Sequence, residues 1–189
     1  RTYRYFIFNR NVRSALAEKR AAHIHRPLDH ERMQAATGAL IGNHDFSAFR
    51  SSECQAKSPI RRLTRLTVER GGDWLAIEVT ANAFLHHMVR NIAGLLIAIG
   101  QGERPPAWAR EVLESRDRTR GHVTAPAEGL YLWSVEYPEV FGLPAGWPPP
   151  QSAIIPAPPG TRISGGPGSK KSCLRASRRS AARARSPKA

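Results

Sequence analysis

Cysteine is nearly absent. Cys54 and Cys173 are the only two in 189 residues, far apart in the chain. That excludes a disulfide framework and a cysteine-built zinc site, and it makes a reducing, cytoplasmic setting the expectation. Long apolar runs are missing too. The greasiest segment, Ile92 to Ile99, falls well short of the ~18 residues that span a membrane, so no membrane partner is expected. No basic stretch leads into an apolar one at the start, which argues against a signal peptide. Carboxylates vanish from residues 151–189, where nine Lys or Arg stand without one Asp or Glu. The formal net charge of +14 is therefore uneven: residues 1–150 carry twenty basic groups against fifteen acidic ones. Such a body is compatible with RNA binding but does not require it.

The chain opens on Arg1 and enters the apolar strand Tyr3-Arg4-Tyr5-Phe6-Ile7-Phe8 at once. Domains seldom start inside a strand, so the expectation is a piece of a longer protein. Residues 3–9 are predicted to be a strand whose upstream partners are missing, leaving an open apolar edge. Residues 10–28 read as a loop. Asp29 caps a helix that Gly42 closes, and 44–49 is a short helix or turn. Residues 61–70 and 74–80 alternate around Gly71-Gly72-Asp73 and form a hairpin. A long helix is predicted from Ala83 to Ile99 with Asn82 as its cap, and another from Pro105-Pro106 through Ser115. Leu130 to Tyr137 is the last strand. The order indicates an α+β domain, helices packed on an antiparallel or mixed sheet. The domain is expected over 1–144. The Pro-, Gly- and Arg-rich segment 145–189 is expected to be a disordered basic tail, since it has too little apolar area to offset its ordering entropy.

The segment Asn82-Ala83-Phe84-Leu85-His86-His87-Met88-Val89-Arg90-Asn91-Ile92-Ala93-Gly94 stands out. At ~100° per residue, Phe84, Leu85, Met88, Ile92, Leu95, Leu96 and Ile99 cover the half a core would bury. His86, His87, Arg90, Asn91 and Gly94 gather in an arc of roughly 140° opposite. This polar stripe has no carboxylate. It suits an anion, a base or a carboxylate brought from elsewhere, and Gly94 leaves room for close approach. The plainer reading is the polar edge of a core helix.

Several segments resemble, in order, those of the tRNA pseudouridine synthases of the TruA type. They are Tyr3 to Asn9, Pro27-Leu28-Asp29, Gly42-Asn43-His44-Asp45-Phe46-Ser47-Ala48-Phe49-Arg50, Asn82 to Gly94, and Ala127-Glu128-Gly129-Leu130-Tyr131-Leu132. The likeness runs from residue 1 to about 144. It implies part of the pseudouridine-synthase fold, which derives from ferredoxin-like units. It also implies isomerisation of uridine to pseudouridine in the anticodon stem-loop of tRNA (positions 38–40), by a homodimer, with no cofactor and no metal. Family members use an Asp in an Arg-Thr-Asp-Ala-Gly-type segment. This chain's four aspartates, Asp29, Asp45, Asp73 and Asp117, stand in no such segment. The chain alone is therefore expected to be inactive, its nucleophile lying in the two-fifths of the family's length that would precede Arg1.

By the same resemblance, Arg90 is the residue that pairs with the catalytic carboxylate. A guanidinium can hold a carboxylate by two parallel hydrogen bonds and keep it ionised. Tyr3 matches the aromatic that stacks on the target base, and Leu130 the apolar residue beneath it; without the resemblance, one is an ordinary strand tyrosine and the other plain core. His44, His86, His87 and Asn91 are candidates for RNA contact, through phosphate or the 2′-hydroxyl. Arg50, Arg61, Arg62 and Arg65 either track phosphates or are simply solvated. Metal binding is not expected, because the adjacent His86 and His87 would point ~100° apart on a helix whereas two ligands want a spacing of four. The alternative function is a non-catalytic α+β RNA-binding module.

Overall fold

The computed structural model describes residues 1–137 and 139–142; the expected tail, 145–189, lies outside them. Among the described residues are six strands and three α-helices. They are β1 (Thr2–Asn9), β2 (Ala22–Ile24), α1 (His30–Thr37), β3 (Gly42–Asp45), β4 (Ile60–Gly71), β5 (Trp74–Ala81), α2 (Met88–Gly100), α3 (Trp108–Ser115) and β6 (Leu130–Ser134). The strands form one mixed sheet in the order β2-β1-β5-β4-β3, with β6 also on β1. Only β1 and β2 run parallel; the other pairs are antiparallel.

Strand β1 lies inside the sheet, paired on both sides, which corrects the expectation of an open edge. β5 pairs with it over Thr2 to Phe8. On the other side β6 takes residues 2–5 and β2 takes residues 7–9, end to end. Gly129 makes the join possible. Its carbonyl accepts the Phe6 amide at 2.8 Å, its φ is +98°, and a Cβ there would stand 2.4 Å from the Phe6 carbonyl oxygen. The β2 strand was hidden in the segment read as a loop, since three residues of Ala-His-Ile carry no periodicity to read.

The hairpin forms as the alternation predicts, with one refinement. Leu63 and Leu66 are both buried although they are three apart. Strict alternation would send them to opposite faces. A register shift between Leu63 and Arg65 restores both to the core, as a bulge does by inserting one residue.

Alternate residues of β1 serve two faces. Tyr5 and Ile7 join Leu75, Ile77 and Val79 of β5 and the helices in the main core, with Tyr3 packed at its edge. Phe6 and Phe8 form a smaller cluster with Ala17, Ala21 and Ala76, flanked by Trp74, Tyr131 and Trp133. Arg4 lies on this second face, ion-paired to Glu78 at 2.6 Å with its guanidinium 3.9 Å above the Trp133 ring.

The long helix differs most from its prediction. It begins at Met88, not Ala83. His87 has φ +61°, a left-handed conformation that cannot continue a helix. Asn82 caps nothing; its Oδ1 accepts the Arg62 amide at 3.0 Å. Every residue of α2 except Arg90 is buried, so the two-sided pattern gives way to a helix enclosed all round.

Asn9, at the end of β1, uses its whole amide. Nδ2 donates to the carbonyls of Ile24 and Arg26, at 2.9 and 2.7 Å. Oδ1 accepts from the Leu28 amide at 3.1 Å and from Arg70 Nη2 at 2.6 Å. Asn9→Ala strands the buried Leu28 amide and removes the partners of the Ile24 and Arg26 carbonyls and of Arg70, and is expected to cost roughly 2–4 kcal/mol. Removing the α1 cap with Asp29→Ala, whose carboxylate accepts the Glu31 and Arg32 amides, should cost only about 1 kcal/mol. Urea unfolding midpoints compare the two; equal shifts would show that Asn9 does not pin the segment 24–28.

Candidate active site

Arg90 is the one residue of α2 that reaches the surface, and its direction is set by main chain. Its Nε donates to the Ala125 carbonyl at 2.8 Å, while the Ala125 amide donates to the Arg90 carbonyl at 3.2 Å. Among the described residues no other hydrogen bond and no ion pair involves the guanidinium, so both terminal nitrogens remain for a ligand. Two bonds from one planar fork are the grip a carboxylate accepts best.

The next residue of the same segment reaches β1. The Tyr5 hydroxyl donates to the Pro126 carbonyl at 2.9 Å. Burial pushes the Tyr5 phenol above its ordinary range, a shift the nearby Arg90 guanidinium opposes and Glu128 reinforces. The phenol is therefore a neutral donor beside the Arg90 charge. Tyr5 lies opposite Leu130 in the β1–β6 register. Leu130 and Tyr3 are half-buried at the rim of the same core, and the Tyr3 ring meets Phe84 edge to face at 5.0 Å. Arg90 and Tyr5 are thus linked through the consecutive residues Ala125 and Pro126, Leu130 lies opposite Tyr5, and Tyr3 lies two residues before Tyr5 on the same strand. Tyr5 was not singled out in the sequence, where it reads as one more strand aromatic.

The other candidates separate. Asn91 is 3 % exposed and both polar atoms of its amide are engaged inside the protein. Nδ2 donates to the Phe49 carbonyl at 2.7 Å, and Oδ1 accepts from Thr124 Oγ1 at 2.7 Å and Arg118 Nη2 at 3.1 Å. Arg118 Nη2 also donates to Thr124 Oγ1 at 3.0 Å. Its structural work is to hold the loop after α3 against α2. Arg118 and Thr124 were missed because loop residues have no period, and the only available signal was their position just upstream of the Ala127-Glu128-Gly129-Leu130 motif.

His86 and His87 occupy a turn and stack face to face, ring centroids 4.0 Å apart, not splayed as helix neighbours would be. Burial lowers the His87 pKa, and the His86 and Arg90 charges lower it further. His44 stands apart. It lies on β3, the outer strand, three strand spacings or ~14 Å across the sheet from β1, with Nε2 3.0 Å from the Ile41 carbonyl.

The chain matches the family model for tRNA pseudouridine synthase over residues 36–138. The chain belongs to the tRNA pseudouridine synthase family. It is 56% identical over 144 residues to tRNA pseudouridine synthase A of Nitrosococcus oceani, an alignment covering 76% of this chain and 56% of that protein. The corresponding protein of Methylococcus capsulatus is 55% identical over 143 residues, with 76% and 53% covered. That of Paraburkholderia phymatum is 49% identical over 156 residues, with 82% and 57% covered. The chain therefore spans about half the length of the curated relatives it matches.

In this pseudouridine synthase domain Gly94 is where α2 and the loop touch. A Cβ there would stand 2.1 Å from the Val123 carbonyl oxygen, so the room expected at Gly94 is filled by the chain's own backbone. Gly94→Ala must push that segment away, and with it the Ala125 carbonyl. The expected loss is roughly 1–3 kcal/mol. Gly38, with φ −58° and nothing near its absent Cβ, should instead gain about 0.4–1 kcal/mol on Gly38→Ala. Thermal unfolding of the two variants measures the difference; a neutral Gly94→Ala would show the loop to be loosely seated.

Proposed function

We propose that the protein to which this chain belongs isomerises uridine to pseudouridine in tRNA, and that Arg90 holds the carboxylate that attacks. The observation that carries this reading is a half-buried guanidinium on an otherwise buried helix, with its Nε bonded to Ala125 and both terminal nitrogens unclaimed among the described residues. Burying a charge without a partner is costly, so such a site favours an anion. None of the chain's own aspartates is that anion. Asp29 caps α1, Asp73 lies in the hairpin turn beside Arg10, and Asp117 caps the turn Arg118–Arg120. Asp45 is engaged by Ser47 and Arg116. The carboxylate is therefore assigned to the part of the relatives' length outside this chain.

The reaction breaks the glycosidic bond, turns the base and rejoins it through carbon. Arg90 would aim the carboxylate at the sugar and keep it ionised at neutral pH. Tyr3 would stack on the base and Leu130 would lie beneath it. His86 and His87, stacked in the turn before α2, would meet the backbone of a nucleotide turned out of its stack. We further assign the anticodon arm, positions 38–40, as substrate, a homodimer as the working form and the cytoplasm as its location. These follow from the family resemblance. A non-catalytic RNA-binding domain is the second reading, favoured by the missing Arg-Thr-Asp-Ala-Gly segment. The coding sequence upstream of Arg1 discriminates the two, since such a segment there supports the enzyme.

Arg90→Lys in the complete protein is the direct test. Lysine keeps the charge but loses the planar fork. Single-turnover rate on tRNA should fall about 100-fold, the scale on which misplacing a reacting group acts. Affinity should hold within about twofold, since phosphate contacts elsewhere supply most of it. Weakened binding with a normal rate at saturation would make Arg90 an RNA-contact residue instead.

A further inference from the structure

One residue along α2 from Arg90, a groove of about 980 Å³ opens toward solvent. Of its lining, the functional reading above uses only His87. Its walls come from three separate places: the segment after β3 supplies Arg50 and Ser52, the turn before α2 supplies His87, and the loop after α3 supplies Arg116, Arg118 and His122. We infer that this groove binds the phosphodiester backbone of the RNA strand next to the nucleotide held at Arg90. The inference rests on the RNA reading above and adds to it a place and a chemistry.

The charge and the donor set carry it. Three guanidinium groups face one carboxylate in the lining. That carboxylate, Asp117, is turned into its own loop: Oδ1 accepts the Thr119 amide and the Thr119 hydroxyl, both at 2.8 Å. Those bonds hold its carboxyl below the ordinary carboxylate range, so it stays ionised with Oδ1 occupied by its own loop. Asp45 lies just outside, 3.5 Å from the Arg116 Nε. Arg116 is 70% exposed, and a pair this loose in water is weak and exchangeable. Its fork is therefore available to a phosphate.

Ser51 and Ser52 add hydroxyls that suit phosphate oxygens, whereas those of Ser47 and Thr119 are already given to Asp45 and Asp117. The N-terminal end of the thirteen-residue α2 adds a positive dipole end beside the same wall. The lining has no Phe, Tyr or Trp on which a base would stack, which points to backbone and not base recognition. The volume is at the top of the small-molecule range, and the cations come from two separate segments, Arg50 after β3 and Arg116 and Arg118 after α3. Location supplies the last argument. Thr124 lines the groove, and the next residue, Ala125, orients Arg90. A base turned out toward Arg90 leaves its flanking phosphates to be held nearby, and this groove is where the basic lining lies.

The test is binding of a synthetic anticodon stem-loop RNA to the full 189-residue chain, measured by filter binding across a salt series. The basic segment 151–189 is present in every variant, so its contribution cancels. Arg116→Gln removes one exposed guanidinium. Ser52→Glu puts a negative charge on an exposed wall position. Arg13→Gln removes a cation from an exposed loop outside the groove. Arg116→Gln should weaken binding several-fold at low salt and lower the log–log salt slope by about 0.7–0.9, the value for one phosphate contact. Ser52→Glu should weaken binding at least as much, and Arg13→Gln should change little. Wild-type binding with both groove variants unchanged, or with Arg13→Gln falling equally, overturns the groove. No salt-dependent binding by the wild-type chain overturns the RNA reading itself, and the groove with it.

Discussion

The exchange of hydrogen bonds between Arg90 and Ala125 is the constraint on which the site depends. Ala125 gives its amide to the Arg90 carbonyl and takes the Arg90 Nε on its own carbonyl. Arg90 is thereby fixed at both its main chain and its guanidinium. The surrounding contacts keep Ala125 in position. Val123 presses on Gly94, where only a hydrogen fits; Thr124 is bonded to the buried Asn91; and Pro126 takes the Tyr5 hydroxyl. Four consecutive residues, 123–126, each touch α2 or β1. The direction of one side chain follows from a strip of main chain that a buried helix and a central strand hold from two sides.

The electrostatics follow from that geometry. A half-buried guanidinium with unclaimed donors raises the local potential, and the groups around it are chosen by that potential or shaped by it. His87 is harder to protonate, first through burial and then through the His86 and Arg90 charges. Tyr5 stays neutral, because burial outweighs the help Arg90 would give its phenolate. The nearest carboxylate acting on Tyr5 is Glu128, and it forms no ion pair with Arg90 among the described residues. An anion entering this setting meets the Arg90 cation, with a neutral, internally bonded phenol behind it and a basic groove alongside. It meets no fixed negative charge positioned to neutralise the guanidinium in advance.

Much of the fold was legible because its signals are local and periodic. The hairpin β4–β5, the cap at Asp29 and the helix after Pro105-Pro106 each follow from a few adjacent residues. What escaped depended on partners far along the chain. β2 is too short to show a period and exists because β1 offers it three residues. The start of α2 was misplaced because Phe84 and Leu85 keep the helical spacing of apolar residues while the backbone at His87 does not keep a helix. At the site, the polar stripe was read as one face. The structure divides it: Arg90 points to the surface, Asn91 turns inward to hold a loop, Gly94 admits that loop's backbone, and the two histidines leave the helix for a stacked turn. Residue type alone could not separate an amide that contacts a ligand from one that secures the wall behind it.

The same dependence on distant partners says when in folding the site can exist. Tyr5 and Pro126 are 121 residues apart, Asn91 and Phe49 are 42, Arg90 and Ala125 are 35. Closing such loops costs entropy before any of these bonds returns free energy, so the bonds form only once sheet and helices have already brought their ends together. No sub-element of the chain can hold the Arg90 geometry by itself. The hairpin β4–β5 and the first turns of α2 are local and can form early, but they contain neither Ala125 nor Pro126. The guanidinium becomes oriented when the chain after α3 returns, β6 pairs with β1, and Gly129 fits against Phe6. Pairing of the last strand and orientation of the candidate catalytic arginine are therefore one event. A change that weakens the β1–β6 seam should disorient Arg90 even where it leaves the core of α2 intact.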